Sequence, residues 1–264
     1  MNKICYILLL CLLSSCKMNK TNHAETCKVE SDSEEQLYVH SELTEDSNYS
    51  QKQLLAIKEE LSRKLDKSKE ETIKKNITGY GVGLHYVEIN LIMNTPERRK
   101  EFREKIMDSP AFRFSGVETP VINERVGVNH AQGIYIRPEY PVYSTETEQA
   151  TFILNNYSGG TIECGEHYYI TFEDENGVWR ELPMNTLFID IGYSIQDKGE
   201  RTMKASLYPD VHPNKPGRYR YFYEVMINRK PILMMAEFRL TNDKKELKET
   251  TRTPSPAGLL LRKE

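Results

Sequence analysis

Few residues of this 264-residue chain could do covalent or ligand chemistry, and its five cysteines come first. Cys5 and Cys11 lie inside an apolar N-terminal run, Cys16 closes that run, Cys27 falls in a polar stretch and Cys164 lies far downstream. Cys164-Gly165-Glu166-His167 sets a thiol and an imidazole three residues apart, a spacing used at metal sites. A structural zinc needs four ligands and no second pair is present, so these two read as packing and surface residues and no metal is expected. Asp174 and Glu175 are adjacent acids, but Asn176-Gly177 follows them directly, and solvation in a turn accounts for the pair without acid–base work. There is no G-x-S-x-G elbow, H-E-x-x-H pair, P-loop or dinucleotide fingerprint. No catalytic residue and no cofactor are expected, and the chain reads as a non-enzyme.

The N-terminus carries the clearest chemical signal. Lys3 precedes an apolar run from Ile7 to Leu13, followed by the small residues Ser14 and Ser15 and then Cys16. The run is roughly half of the ~20 residues that a membrane-crossing helix requires, so it reads as the hydrophobic region of a cleaved signal peptide. Leu13-Ser14-Ser15-Cys16 resembles the bacterial lipobox. The resemblance implies that the Cys16 thiol is joined to diacylglycerol, that cleavage falls between Ser15 and Cys16, and that the mature chain is a lipoprotein held at the cell membrane by acyl chains such as palmitate. Each buried methylene contributes ~0.8 kcal/mol, so more than one chain anchors stably. Lys17 stands where Asp would mark inner-membrane retention in enterobacteria. The resemblance therefore favours the outer membrane, facing the periplasm or the surface.

Composition narrows the partners. The apolar fraction of 38% suffices for a core, and the net charge of -3 lacks the basic footprint of a nucleic-acid binder. With Cys5 and Cys11 removed and Cys16 acylated, only Cys27 and Cys164 remain, as one bridge or two free thiols. A disulfide framework is excluded.

Residues 16–49 are polar and acidic, a disordered tether whose work is spacing. Residues 50–75 form one helix, capped by Ser50 and striped by Leu54, Ile57, Leu61 and Leu65, with Glu59–Arg63 and Glu60–Lys64 pairs outside. Residues 76–116 form a small βαβ module. A strand from Val82 to Met93 leads into a helix begun by Thr95-Pro96-Glu97, with Thr95 as cap and Pro96 at the first position, and a short strand follows at Ala111 to Phe114. One helix on two strands buries little, so this module is expected to borrow the preceding helix or the next domain. The basic face of its helix reads as solvated, with an anionic partner as the alternative. Residues 117–132 are a linker and residues 241–264 a disordered tail.

Residues 133–240 change to short alternating strands with a turn every ten or so residues, the pattern of an all-β sandwich. The expected strands are Ala150 to Leu154, Tyr168 to Phe172, Val178 to Leu182, Thr202 to Leu207, Arg218 to Ile227 and Leu233 to Leu240. Asn176-Gly177 predicts a hairpin with a type I′ turn. Tyr140-Pro141-Val142-Tyr143, Ala150 to Asn156, Gly177 to Pro183 and Lys215-Pro216-Gly217-Arg218-Tyr219-Arg220-Tyr221 resemble the bacterial Ig-like domains of envelope lipoproteins and other secreted bacterial proteins. The resemblance implies a mainly β fold with a C-terminal immunoglobulin-like sandwich, in which Tyr219 is a tyrosine corner bonding back to main chain and Trp179 a core anchor between sheets. Ligand stacking by Trp179 is the alternative. No Cys pair brackets Trp179, so packing alone holds the sandwich.

The functional expectation is a membrane-anchored envelope lipoprotein whose Ig-like domain is a non-catalytic structural or binding module. Its partners are the membrane through Cys16 and an envelope protein or glycan, with no nucleic acid. The alternative is a regulator or inhibitor of an envelope enzyme acting through the βαβ module. Candidate binding loops are Asn155 to Gly160, Pro183 to Thr186 and Pro209 to Pro216.

Overall fold

The computed structural model describes residues 49–256. The signal peptide, Ser15, Cys16, the tether up to residue 48, Cys27 and residues 257–264 lie outside the described residues.

Ser50 starts α1 (Gln51–Lys67) through a capping box in which its hydroxyl accepts from the Gln53 amide and the Gln53 side chain accepts from its own. Leu54, Leu61 and Leu65 are the buried stripe. The expected single helix over 50–75 is in fact two. Ser68 is extended and its hydroxyl accepts from the Glu70 amide, so a local side-chain bond competes with the helix ladder. A second helix, α2 (Glu71–Asn76), follows.

A three-stranded sheet comes next, built from β1 (Ile77–Val82), β2 (Val87–Met93) and β3 (Phe112–Val117) in the order β1-β2-β3. The β2 and β3 strands are parallel and joined by α3 (Pro96–Lys105), capped by Thr95 with Pro96 at its start. This is the expected βαβ unit with one strand more. The sequence from Val82 to Met93 is not one strand, because it turns at Gly83, whose amide donates to Tyr86 O at 2.8 Å. A Cβ on Gly83 would lie 2.7 Å from the Tyr86 ring. The module's core joins Leu54, Leu61 and Leu65 of α1 to Val87, Ile89, Phe102 and Phe114, with the Phe102 ring edge-on to Phe114 at 5.3 Å.

The second half is a β-sandwich of an immunoglobulin-like kind. Its strands are β4 (His130–Ala131), β5 (Ile134–Pro138), β6 (Val142–Ser144), β7 (Gln149–Asn156), β8 (Ile162–Glu173), β9 (Trp179–Glu181), β10 (Tyr193–Ile195), β11 (Glu200–Ser206), β12 (Gly217–Ile227) and β13 (Lys230–Thr241). One sheet runs β10-β8-β12-β13-β6 with β9 also on β8, and the other runs β11-β7-β5-β4. Tyr219, Tyr221, Tyr223 and Val225 all enter the core between them, where Phe152 stacks on Tyr221 at 3.9 Å.

Two turns differ from their sequence reading. At Asn176-Gly177 only Gly177 has positive φ, at 78°. The Gly177 amide donates to Asp174 O, and the Asp174 carboxylate accepts from the Asn176 and Val178 amides. The loop is therefore a three-residue turn closed by a left-handed glycine, not a type I′ turn, because Asp174 supplies a local acceptor. The two-residue turn with both φ positive is Asn228-Arg229, at 51° and 62°, between β12 and β13.

Neither connecting segment is idle. Residues 118–128 form a strap across the larger sheet. Val121 O accepts from the Glu181 amide and the Asn123 amide donates to Trp179 O on β9, while Val128 exchanges backbone bonds with Leu233 and Met235 on β13. Gly127 permits this approach, because a Cβ there would lie 2.7 Å from Met235 Cβ and 2.9 Å from Leu233 O. In place of a tail that is disordered from residue 241, α4 (Lys244–Glu249) follows β13. The chain then returns over β5, where the Thr253 amide donates to Glu139 O and Arg137 donates to Thr253 O. Backbone pairing outweighs the polar composition of both segments.

Candidate binding surface at the seam between the two modules

The β9 and β10 strands pair with the same edge of β8, at Thr171 to Glu173 and at Ile162 to Cys164 respectively. They are two ends of one broken edge strand. After the Leu182 amide donates to Ile170 O, Pro183 has no donor to continue the ladder. Asn185 then accepts from the Leu187 amide and bends the chain away. The detour to Gly192 rests on the sandwich through Phe188, 5.2 Å from the Tyr168 ring and 4.9 Å from His167, and on the α/β module through Leu187, whose Cδ1 lies 3.7 Å from where a Cβ on Gly79 would be. Thr78, Asn90, Ser115, Met184 and Leu187 are among the residues lining a cavity of about 120 Å³ between detour and sheet.

The detour exposes aliphatic surface. Leu187 is 62%, Ile189 71% and Ile191 42% accessible. Such a run of exposed aliphatics is a candidate interaction surface. Nothing in the sequence reading singled it out. Its signal is the alternation Leu187-x-Ile189-x-Ile191 between Pro183 and Gly192, which resembles any edge strand until the chain is seen to leave the β8 edge there.

The modules are locked together beside the detour. Lys75 of α2 reaches Glu148 at 3.0 Å and also Asp210, and these two acceptors raise its pKa. Arg98 of α3 donates to Val211 O at 2.6 Å. His212 is buried with Nε2 2.9 Å from Pro183 O, and desolvation lowers its pKa. Of the three loops expected to bind, Pro209 to Pro216 is thus largely spent on the module contact and Pro183 to Thr186 forms the cavity wall. Asn155 to Gly160 is stiffened from within, by Asn156 donating to Gly160 O and Ile195 O.

The residues singled out for chemistry are placed apart. Cys164 is a buried free thiol, its pKa raised by burial, on the core side of β8. His167 is exposed against Phe188. Between them β8 bulges opposite Tyr223 and Val225. The bulge turns Glu166 toward Arg201 at 2.9 Å, and the Arg201 guanidinium lies 3.3 Å from the centre of the Tyr193 ring. Among the described residues no group of three or more His, Cys, Asp or Glu could hold a metal ion. Asp174 ties its own turn together and binds Arg180 at 2.6 Å, the contact that most lowers its pKa.

The Tyr219 hydroxyl donates to Lys215 O at 2.8 Å, the bond of a tyrosine corner, and burial pushes its pKa to about 12. Trp179 is 8% exposed but does not belong to the core between the sheets. It pairs with Glu173 on the outer face, where Arg220 covers its ring at 3.6 Å. Alternation along β9 places it outside, so cation–π contact takes the place of the inter-sheet packing expected of it.

Two family models match. Residues 52–117 match a Pro-like C-terminal domain and residues 130–246 a bacterial Ig-like domain. No curated protein matches the chain. Among solved structures, similarity is found to the Pseudomonas fluorescens alkylpurine DNA glycosylase AlkC bound to DNA, at 15% identity and TM-score 0.26 over 42% of this chain and 31% of that one. The periplasmic chaperone SfaE is similar at 13% and 0.27 over 42% and 58%. The PapD-like domain 7 of human CEP192 follows at 13% and 0.24 over 48% and 97%. The chain spans about a third of the glycosylase and somewhat over half of the chaperone, and at these TM-scores neither carries an argument. The family match and the sheet topology together make residues 130–246 a bacterial Ig-like domain, joined through residues 118–128 to a small α/β module that is similar over residues 52–117 to a Pro-like C-terminal domain.

Proposed function

We propose that this chain is a lipid-anchored envelope protein whose Ig-like domain is a non-catalytic module binding another envelope component. The observation that carries the reading is the detour between β9 and β10, which holds Leu187, Ile189 and Ile191 in water on a seam where both modules converge. An alternating aliphatic ridge on a rigid frame suits an apolar strip of a protein partner. Attachment rests on Leu13-Ser14-Ser15-Cys16. The described helices offer no segment long and apolar enough to cross a membrane, and the acylated Cys16 supplies the attachment.

The test has two arms. Cys16→Ser should release the protein from the membrane fraction and abolish acylation; acylated, membrane-bound protein after that change refutes the anchor. Mature Cys16→Ser protein should recover an envelope protein from envelope extracts, and Leu187→Glu with Ile189→Glu should abolish recovery without altering the melting temperature. Recovery of a protease as the main partner, unaffected by those two changes, would overturn the reading in favour of an inhibitor.

A further inference from the structure

The β1 strand is an edge strand, and among the described residues no other strand pairs with its outer side. Edge strands in stable monomers are blunted by Lys, Pro or a covering element. Ile77-Thr78-Gly79-Tyr80-Gly81-Val82 has none of these charges or prolines, and its one irregularity is a register shift between Ile77 and Gly79 at its start. Gly79 to Val82 pair regularly with β2. The arrangement is symmetric about Tyr80, with a glycine on either side.

We propose that β1 pairs antiparallel with β1 of a second copy of this chain, on a twofold axis through Tyr80. In that register Tyr80 faces Tyr80 of the second copy, and Gly79 faces Gly81 of the second copy. An isologous pair requires a self-complementary patch, and three features meet that condition. Leu187 Cδ1 lies 3.7 Å from where a Cβ on Gly79 would be, so the residue opposite must be small, and the twofold supplies Gly81. A Cβ on Gly81 itself meets nothing within 4 Å, so that face is open to the incoming strand. The Tyr80 hydroxyl lies 3.1 Å from Ser62 Oγ, which sets Ser62 of α1 over the middle of the strand. Lys58 and Asp66 stand one helical turn before and after Ser62 and line the same surface depression. The axis therefore sets Lys58 of one copy toward Asp66 of the other, twice, which gives the surface matched charge. Tyr–Tyr pairing across an antiparallel ladder adds to the backbone bonds.

Sedimentation equilibrium of the mature chain carrying Cys16→Ser should show a dimer forming across the micromolar range. Gly81→Lys has room in the single copy, so its melting should match the parent, but it sets a charge against Gly79 and Leu187 of the second copy and should sediment as a monomer. Gly79→Cys with Gly81→Cys, in a Cys27→Ser background, should give a covalent dimer on mild oxidation, since directly opposed residues of an antiparallel pair approach disulfide distance. A chain that remains monomeric throughout, a dimer that survives Gly81→Lys, or a double-cysteine variant that does not cross-link overturns the proposal. Failure of the chain with Leu187 and Ile189 intact to recover an envelope protein, with the dimer intact, would count against the proposed function alone.

Discussion

Gly127→Ala should destabilise this protein strongly, because Gly127 is the buried residue of a strap whose neighbours Val126 and Val128 are exposed. The added Cβ would meet Met235 Cβ at 2.7 Å, Leu233 O at 2.9 Å and Met234 C at 3.2 Å. Two of these three are backbone atoms of β13, which is held on its other side by β12 along its whole length, so the strap must move instead. Moving it breaks Val128 N to Leu233 O at 3.1 Å and Met235 N to Val128 O at 2.8 Å. Each such bond is worth about 1 kcal/mol net, and overpacking by one methyl costs roughly 1–3 kcal/mol. The expected loss is about 3–5 kcal/mol, or roughly 6–20 °C in melting temperature for a domain of this size. Gly160→Ala is the control, because a Cβ there meets nothing within 4 Å. Thermal unfolding measures the loss, and hydrogen exchange localises it to the amides of Val128 and Met235. A Gly127→Ala protein that melts within a degree of the parent would refute the strap as a structural element.

Three further changes test other parts of the fold. Tyr219→Phe removes the bond to Lys215 O and leaves that carbonyl without its partner, so denaturant titration should show a loss of about 1–2 kcal/mol with unchanged slope. His212 has a lowered pKa because burial disfavours its charged form. Its contribution is present in full above the usual His value of about 6.5 and is lost as pH falls below that toward its folded pKa, so a His212→Gln protein should show a flatter stability profile than the parent as pH falls below about 6.5. A parallel decline in both would refute the assignment. Cys164 is buried, so in a Cys27→Ser background a thiol reagent should label the mature Cys16→Ser chain only after unfolding; rapid native labelling would show that β8 opens.

Local chemistry made several features readable without coordinates. Ser50 with Gln53 begins one helix and Thr95 another because their side chains satisfy the orphan amides beside them, and Pro96 has no amide to satisfy, so no distant residue is needed for that. The alternation of Tyr219, Tyr221, Tyr223 and Val225 marked one buried face for the same kind of reason, since side chains along a strand alternate. Cys16 likewise owes its expected role to its immediate neighbours. Other outcomes turned on partners far away in sequence. Asn228-Arg229 makes the two-residue turn because β12 and β13 align around it, and Asn176-Gly177 does not because Asp174 competes. Residues 118–128 look like a linker by composition, yet their backbone groups are claimed by β9 and β13. Trp179 is outside the sandwich because β9 joins β8 in a register that turns its ring outward beneath Arg220. The detour from Pro183 to Gly192 follows the same rule. Its aliphatics alternate as a buried strand's would, and only the departure of the chain from the β8 edge between β9 and β10 leaves them facing water.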